Sequence, residues 1–274
     1  MIKQNPFSLY DFLGYFIPGA LLIYIYLFIE YFNNLKIKFN LLNFLNDNQS
    51  FQTEKFLFFI IISYALGHMI NFLSSITVEK YANWIYDYPS KYLLGLVKNR
   101  IFWKSLNLRR IITALIIFPV MFFDLILGNL FKFKNFYTRK LDTLLIQIIK
   151  EKGLILIKQL YQNNIGNKEP LKLRDNDFHR IFTHYTFENS KNHQFKLVNY
   201  VVLYGFLRAL TLISILIFWY LVYLKLFKNN EFICYYHFLI IGFISYTFFM
   251  AFIIFYRRYT LEGFMLIAID KELK

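Results

Sequence analysis

LVNYVVLYGFLRALTLISILIFWYLVYL, residues 197–224, is longer and more apolar than the helices of water-soluble domains, and CYYHFLIIGFISYTFFMAFIIFY, residues 234–256, repeats the pattern after a short polar turn. Each exceeds the ~20 residues needed to cross roughly 30 Å of hydrocarbon. Two more stretches meet the criterion, Phe12–Ile29 and Phe56–Val78, and of the four only the third holds a charge, Arg208. The chain therefore reads as an all-α polytopic membrane helix bundle with four spans. It divides into an N-terminal pair at 1–78, a basic helical region at 79–199, and a C-terminal pair with a short tail at 200–274. A hydrophobic fraction of 57% and a mean hydropathy of +0.40 agree. Because 34 Phe and 22 Tyr raise apolarity even in loops, charge-free length is the better criterion.

Orientation follows from the basic residues. Glu79–Asn199 carries 20 of the chain's 31 Lys and Arg against 9 of its 17 Asp and Glu, which places it in the cytoplasm by the positive-inside rule. Tyr31–Lys55 holds only Lys36, Lys38 and Lys55, while Arg257 and Arg258 flank the far end of the last span. Four spans in a bacterial inner membrane, with both termini cytoplasmic, satisfy every one of these biases. Met1–Pro6 offers only Lys3 ahead of the first apolar run and no small-residue cleavage site follows it, so that run reads as a retained signal anchor. Cys234 is the only cysteine, which excludes an intrachain disulfide framework.

Ile111–Phe131 is long enough to cross but carries Pro119 and Asp124. A crossing there would put the seven basic residues of Lys80–Arg110 and the thirteen of Lys132–Lys196 on opposite sides. A hydrophobic hairpin over 111–131 keeps both inside, and a proline at the midpoint breaks the helical ladder where such a hairpin turns. A fifth crossing is the rival.

In Arg139–Glu151, Leu141, Leu144, Leu145, Ile148 and Ile149 share one face, which predicts an amphipathic helix interrupted at Gly153. NNIGNKEP, residues 163–170, reads as a loop, and Phe178, Ile181, Phe182 and Tyr185 predict a further helix. Across Tyr81–Arg110, Trp84 and Trp103 accompany Lys91, Lys98, Arg100 and Lys104, with Arg109 and Arg110 at the end. These residues suit anionic lipid at the membrane surface or, less economically, the phosphates of a nucleic acid.

Within the spans, Ser63, Gly67, Asn71 and Ser75 recur every fourth residue, with His68 beside them. This small, polar stripe admits close helix packing; its rival use is to line a water-filled path. Gly14, Pro18 and Gly19 predict a kinked start to the first span. Arg208 is expected to snorkel to the interface or to pair with Asp124.

No phosphate-binding glycine loop, nucleophile elbow or paired-cysteine motif is present, and the five histidines have no metal-ligand spacing, so neither metal nor cofactor is expected. Arg174 and His179, in RDNDFH, match the Arg-polar-x3-His spacing of HEPN ribonucleases, a spacing that chance supplies about half a time in a chain of this composition. YDFLGYFIPGALL, SYALGHMINFLSS and YGFLRALTL, with the basic middle, resemble small multi-pass membrane proteins encoded beside bacterial anti-phage systems, including membrane accessories of RNA-targeting CRISPR effectors. The resemblance implies a non-enzymatic effector that oligomerises and perturbs the membrane, with a cytosolic protein or nucleic acid as trigger. A membrane-anchored RNA-binding protein or HEPN-like ribonuclease and a small transporter are the alternatives.

The topology is directly testable. In a Cys234→Ser background, Lys98→Cys and Asn164→Cys should both react with an impermeant thiol reagent only from the cytoplasm. Reaction from opposite faces would establish a fifth crossing.

Overall fold

The computed structural model describes residues 11–35, 53–96, 107–165, 175–228, 230 and 233–273, and every regular element among them is helical. Four helices are long and apolar enough to cross a membrane, or five if one bent pair counts as a single span. The chain is a multi-pass membrane protein.

The first span opens with a π-helical turn, Phe12–Phe16, and continues as α1, Ile17–Leu35. Pro18 has no N–H to give to the preceding turn, and that turn widens, with Ile17 N–H donating to the Phe12 carbonyl five residues back. The kink expected from Gly14, Pro18 and Gly19 takes this form. The second span is α2, Thr53–Ile76; beyond a break at Thr77, α3, Val78–Ile85, follows, and Tyr81 and Tyr86 both approach Phe249 of the last span. After a turn through Asp87, α4, Pro89–Leu93, starts on proline, which sits well in a helix's first turn.

The bent segment comprises α5, Leu108–Ile116, and α6, Phe118–Phe123, which runs into a π-helical turn, Asp124–Leu130; its two halves meet at 81°. The break falls at Ile117, two residues before Pro119, as the missing N–H requires. Arg110 at its start lies over the Trp84 ring of α3, and Arg139 beyond its end offers its carbonyl to Arg257. Between them the segment goes deep: Trp219 Nε1 donates to the Ile116 carbonyl at 2.8 Å, and Phe123 fills the space over Gly242.

The helices α7, Lys134–Tyr137, α8, Thr143–Ile165, and α9, Asp175–Asn189, precede the two longest, α10, Gln194–Phe227, and α11, Tyr235–Ile269. The helix expected around Phe178–Tyr185 is α9. The interruption expected at Gly153 is absent: Ile149 and Leu156 are buried on one face of an unbroken α8, and this packing outweighs the glycine's local cost.

At 34 and 35 residues, α10 and α11 are each about 50 Å long, far more than a bilayer core requires. Counting about 20 residues from the turn that joins them reaches Arg208 on α10 and Phe255 on α11; the same count from Phe56 reaches Ser75 on α2. One plane passes through the ends of α2 and α10, where Arg208 meets Asn71 and Ser74; Phe255 of α11 lies about two turns beyond it, against Tyr200. Beyond it, α11 carries a second core in which Ile149, Leu156, Phe182, Phe264 and Ile267 pack around Tyr92 and Leu93.

Arg208 lies on this plane and is 9% exposed. Its Nη1 is ion-paired with Glu79, its Nη2 donates to Asn71 Oδ1 at 2.5 Å, and its Nε donates to Ser74 Oγ at 3.2 Å. Neither snorkelling nor pairing with Asp124 is needed, because α2 and α3 present a complete set of acceptors. Arg208→Met should destabilise the fold by about 3 kcal/mol, the low end for a broken buried pair because the Glu79 side chain is 25% exposed. Adding Glu79→Leu should restore most of that loss in thermal unfolding in detergent. A double variant no more stable than the single one would show that the pair does not set the energetics.

Candidate functional site

The polar stripe of α2 serves two neighbours. Ser63 and Gly67 face the first span: a methyl group on Gly19 would lie 1.8 Å from the Ser63 carbonyl oxygen, and one on Gly67 would lie 1.8 Å from that of Tyr15. Both glycines are required, since any side chain at either would collide with the backbone of the other helix. Ser63 is fully buried in this contact. One turn further, Asn71 holds Arg208; Ser75 donates to the Phe72 carbonyl of its own helix at 2.7 Å. His68 is on the exposed side, stacked on Tyr15 at 3.8 Å and edge-on to Tyr64. The stripe thus joins α2 to α1 at one level and to α10 at another, and His68 and its two tyrosines form the aromatic rim of the first joint.

A second polar cluster lies where the bent segment meets α3 and α11. Asp124, 4% exposed, accepts a hydrogen bond from Tyr86 at 2.5 Å. Gly128, one turn on, leaves room for that carboxylate, because a methyl group there would lie 2.3 Å from Oδ1 and 3.7 Å from the Tyr246 hydroxyl. Asp124 therefore anchors the bent segment to α3. Its signal in the sequence was its position at membrane depth, but nothing local identified Tyr86, 38 residues earlier, as the donor.

The basic candidates are dispersed. Lys91 is 4.0 Å from Asp87, Arg109 is exposed, and Arg110 covers Trp84 at 5.4 Å. Lys98, Arg100, Lys104 and Arg174 lie outside the described residues. His179, the partner expected of Arg174, stands edge-on to Phe264 and lines a small polar recess with Thr183, Thr186, Tyr259 and Thr260. Burial lowers its pKa and keeps the imidazole neutral. Its contact with Phe264 packs α9 on α11. Among the described residues, no group of three or more His, Cys, Asp and Glu side chains is arranged to hold a metal ion.

At the far end of α11, Lys152 Nζ donates to the Ala268 carbonyl at 2.9 Å and also to that of Asp270, while the Tyr185 hydroxyl donates to Asp270 Oδ2 at 2.7 Å. Loss of solvent, and after it the hydrogen-bonded Asp270 carboxylate, raise the Tyr185 phenol's pKa. A lysine thereby satisfies the orphan carbonyls of the helix end and ties α8 to it, and a tyrosine ties α9 to the same point. No local pattern points to this clasp, because its partners are more than 80 residues apart.

Comparison with protein-family models, curated proteins and solved structures returns no match. The assignment as a helical multi-pass membrane protein consequently rests on the spans themselves. Gly67→Leu should cost more than about 3 kcal/mol by forcing backbones apart, whereas His68→Gln, on the exposed rim, should cost below about 1 kcal/mol. Thermal unfolding of the two variants in detergent checks this, and equal costs would mean that the close contact of α1 and α2 is not what the glycines secure.

Proposed function

We propose that this protein is a non-enzymatic inner-membrane effector or accessory of a bacterial defence system, in which a basic cytosolic region senses a partner and the spans, assembled as a homo-oligomer, permeabilise the bilayer. Both termini are cytoplasmic in this reading, and the bent segment re-enters the membrane from that side. What supports the re-entry is that Arg110, at its start, lies over Trp84, past the end of the second span, and that Arg139, beyond its end, accepts from Arg257, past the apolar run of the last. What supports the coupling is the continuity of α10 and α11. Both run without a break beyond the length of a span, and α11 continues into the second core, where α8 and α9 grip its end through Lys152 and Tyr185. A partner that displaces α8 or α9 would move the far end of a rigid rod, and the span would follow.

Permeation in this reading requires contacts between chains, since Ser63 and Gly67 are already occupied by α1 within one chain. The His68, Tyr15 and Tyr64 rim is the part of the stripe left exposed. A transport reading is favoured by one observation, the buried Asp124–Tyr86 pair at a broken helix, the kind of place where ion sites are built.

The purified full chain, reconstituted into liposomes loaded with carboxyfluorescein, should release dye as an oligomer, and Lys152→Met should alter the release without changing the amount inserted. Intact liposomes containing a strictly monomeric protein would overturn the effector reading. Proton or cation flux without dye release would transfer the assignment to transport.

A further inference from the structure

Helix α1 is fastened to the bundle at two levels, and between them an open space remains beside it on the side of α10 and α11. At one level the backbones of α1 and α2 touch through Gly19 and Gly67. At the other, Tyr220 donates to Glu30, Asn230 Nδ2 donates to Asn33 Oδ1 at 2.9 Å, and Ile29 packs with Leu221, Leu224 and Ile233. Between these levels lies a cavity of about 510 Å³, walled by Ile25 and Phe28 of α1, Ile213 and Ile217 of α10, and Ile241 and Phe248 of α11. That volume is in the range of small-molecule and lipid pockets.

Three physical arguments restrict its occupant. The cavity is open on one side and not sealed, so the medium around the spans can enter it. Water needs two or more polar partners. Among the described residues, only Ser214 and His237 bring polar side chains to the lining; Ser214 donates to the Thr211 carbonyl of its own helix at 2.9 Å, and His237 Nδ1 is bound at Cys234. The cavity also lies within the spans, beside the exposed Ile240, Phe243 and Ile244 of α11, where hydrocarbon is the surrounding solvent.

We propose that this cavity is a binding site for one lipid acyl chain, which completes the contact of α1 with α10 and α11. The site recognises hydrocarbon, so the headgroup contributes little, and occupancy holds α1 in its place. This inference is independent of how the protein acts on the bilayer.

The test uses the full chain, purified and delipidated in detergent, with added palmitoyl-oleoyl phosphatidylglycerol or phosphatidylcholine, read by native mass spectrometry and thermal unfolding. Both lipids should give a saturable adduct of one lipid per chain and raise the unfolding temperature. Ser214→Phe, which places a ring in the cavity, should weaken the adduct by about tenfold or more, as expected when several methylenes lose their burial. Its unfolding temperature without lipid should equal or exceed that of the parent. Ile241→Phe fills the same space from α11 and serves if Ser214→Phe does not fold. Filled variants that keep the adduct would place the lipid elsewhere and overturn the proposal. So would a folded parent that binds no lipid saturably, or binding that follows the headgroup in place of the chain.

Discussion

A guanidinium at the edge of hydrocarbon must be neutralised where it stands, and Arg208 imposes that requirement on the rest of the bundle. Its three nitrogen positions are each engaged, by Glu79, Asn71 and Ser74. To supply the carboxylate, the chain must break after α2 and continue as α3, so that Glu79 comes back toward α10. The same break brings Tyr81 and Tyr86 to Phe249 of α11. Tyr86 in turn supplies the donor that makes Asp124 tolerable at depth. One buried cation therefore fixes the register of the second span against the third, and through α3 the position of the bent segment.

The remaining contact of α1 obeys a different rule. Hydrocarbon provides no hydrophobic force to drive helices together, so α1 and α2 associate by bringing their backbones into contact at Gly19 and Gly67. Close contact at one level and hydrogen bonds at another leave the intervening length under-packed. A helix meeting three others cannot match all of them along its whole length, and here the mismatch leaves apolar cavities where α1 faces α10.

What the sequence disclosed follows from which forces act locally. Charge-free length located all four spans, Pro119 marked the bend, and the fourfold spacing of Ser63 and Gly67 identified a packing face, because each is a property of one segment. The partner of Arg208 was not legible: Glu79 lies 129 residues earlier and past a break that no breaker residue announces. Gly153 misled in the opposite direction. Its propensity argued for an interruption, whereas burial of Ile149 and Leu156 holds α8 straight. The clasp of Lys152 on the end of α11 was equally hidden, since a lysine that caps a distant helix has no spacing of its own.

These two kinds of contact divide the molecule mechanically. The joints around Arg208 and Asp124 are polar and directional, so they resist sliding; opening one would leave a charge unpaired in a medium that punishes it. The contact of α1 combines backbone touching backbone at Gly19 and Gly67, hydrogen bonds at Glu30 and Asn33, and between them an apolar cavity open to hydrocarbon. Only the last of these can exchange its contents without breaking a bond, and a shift of α1 there would uncover the face lined by Ile213, Ile217 and Ile241.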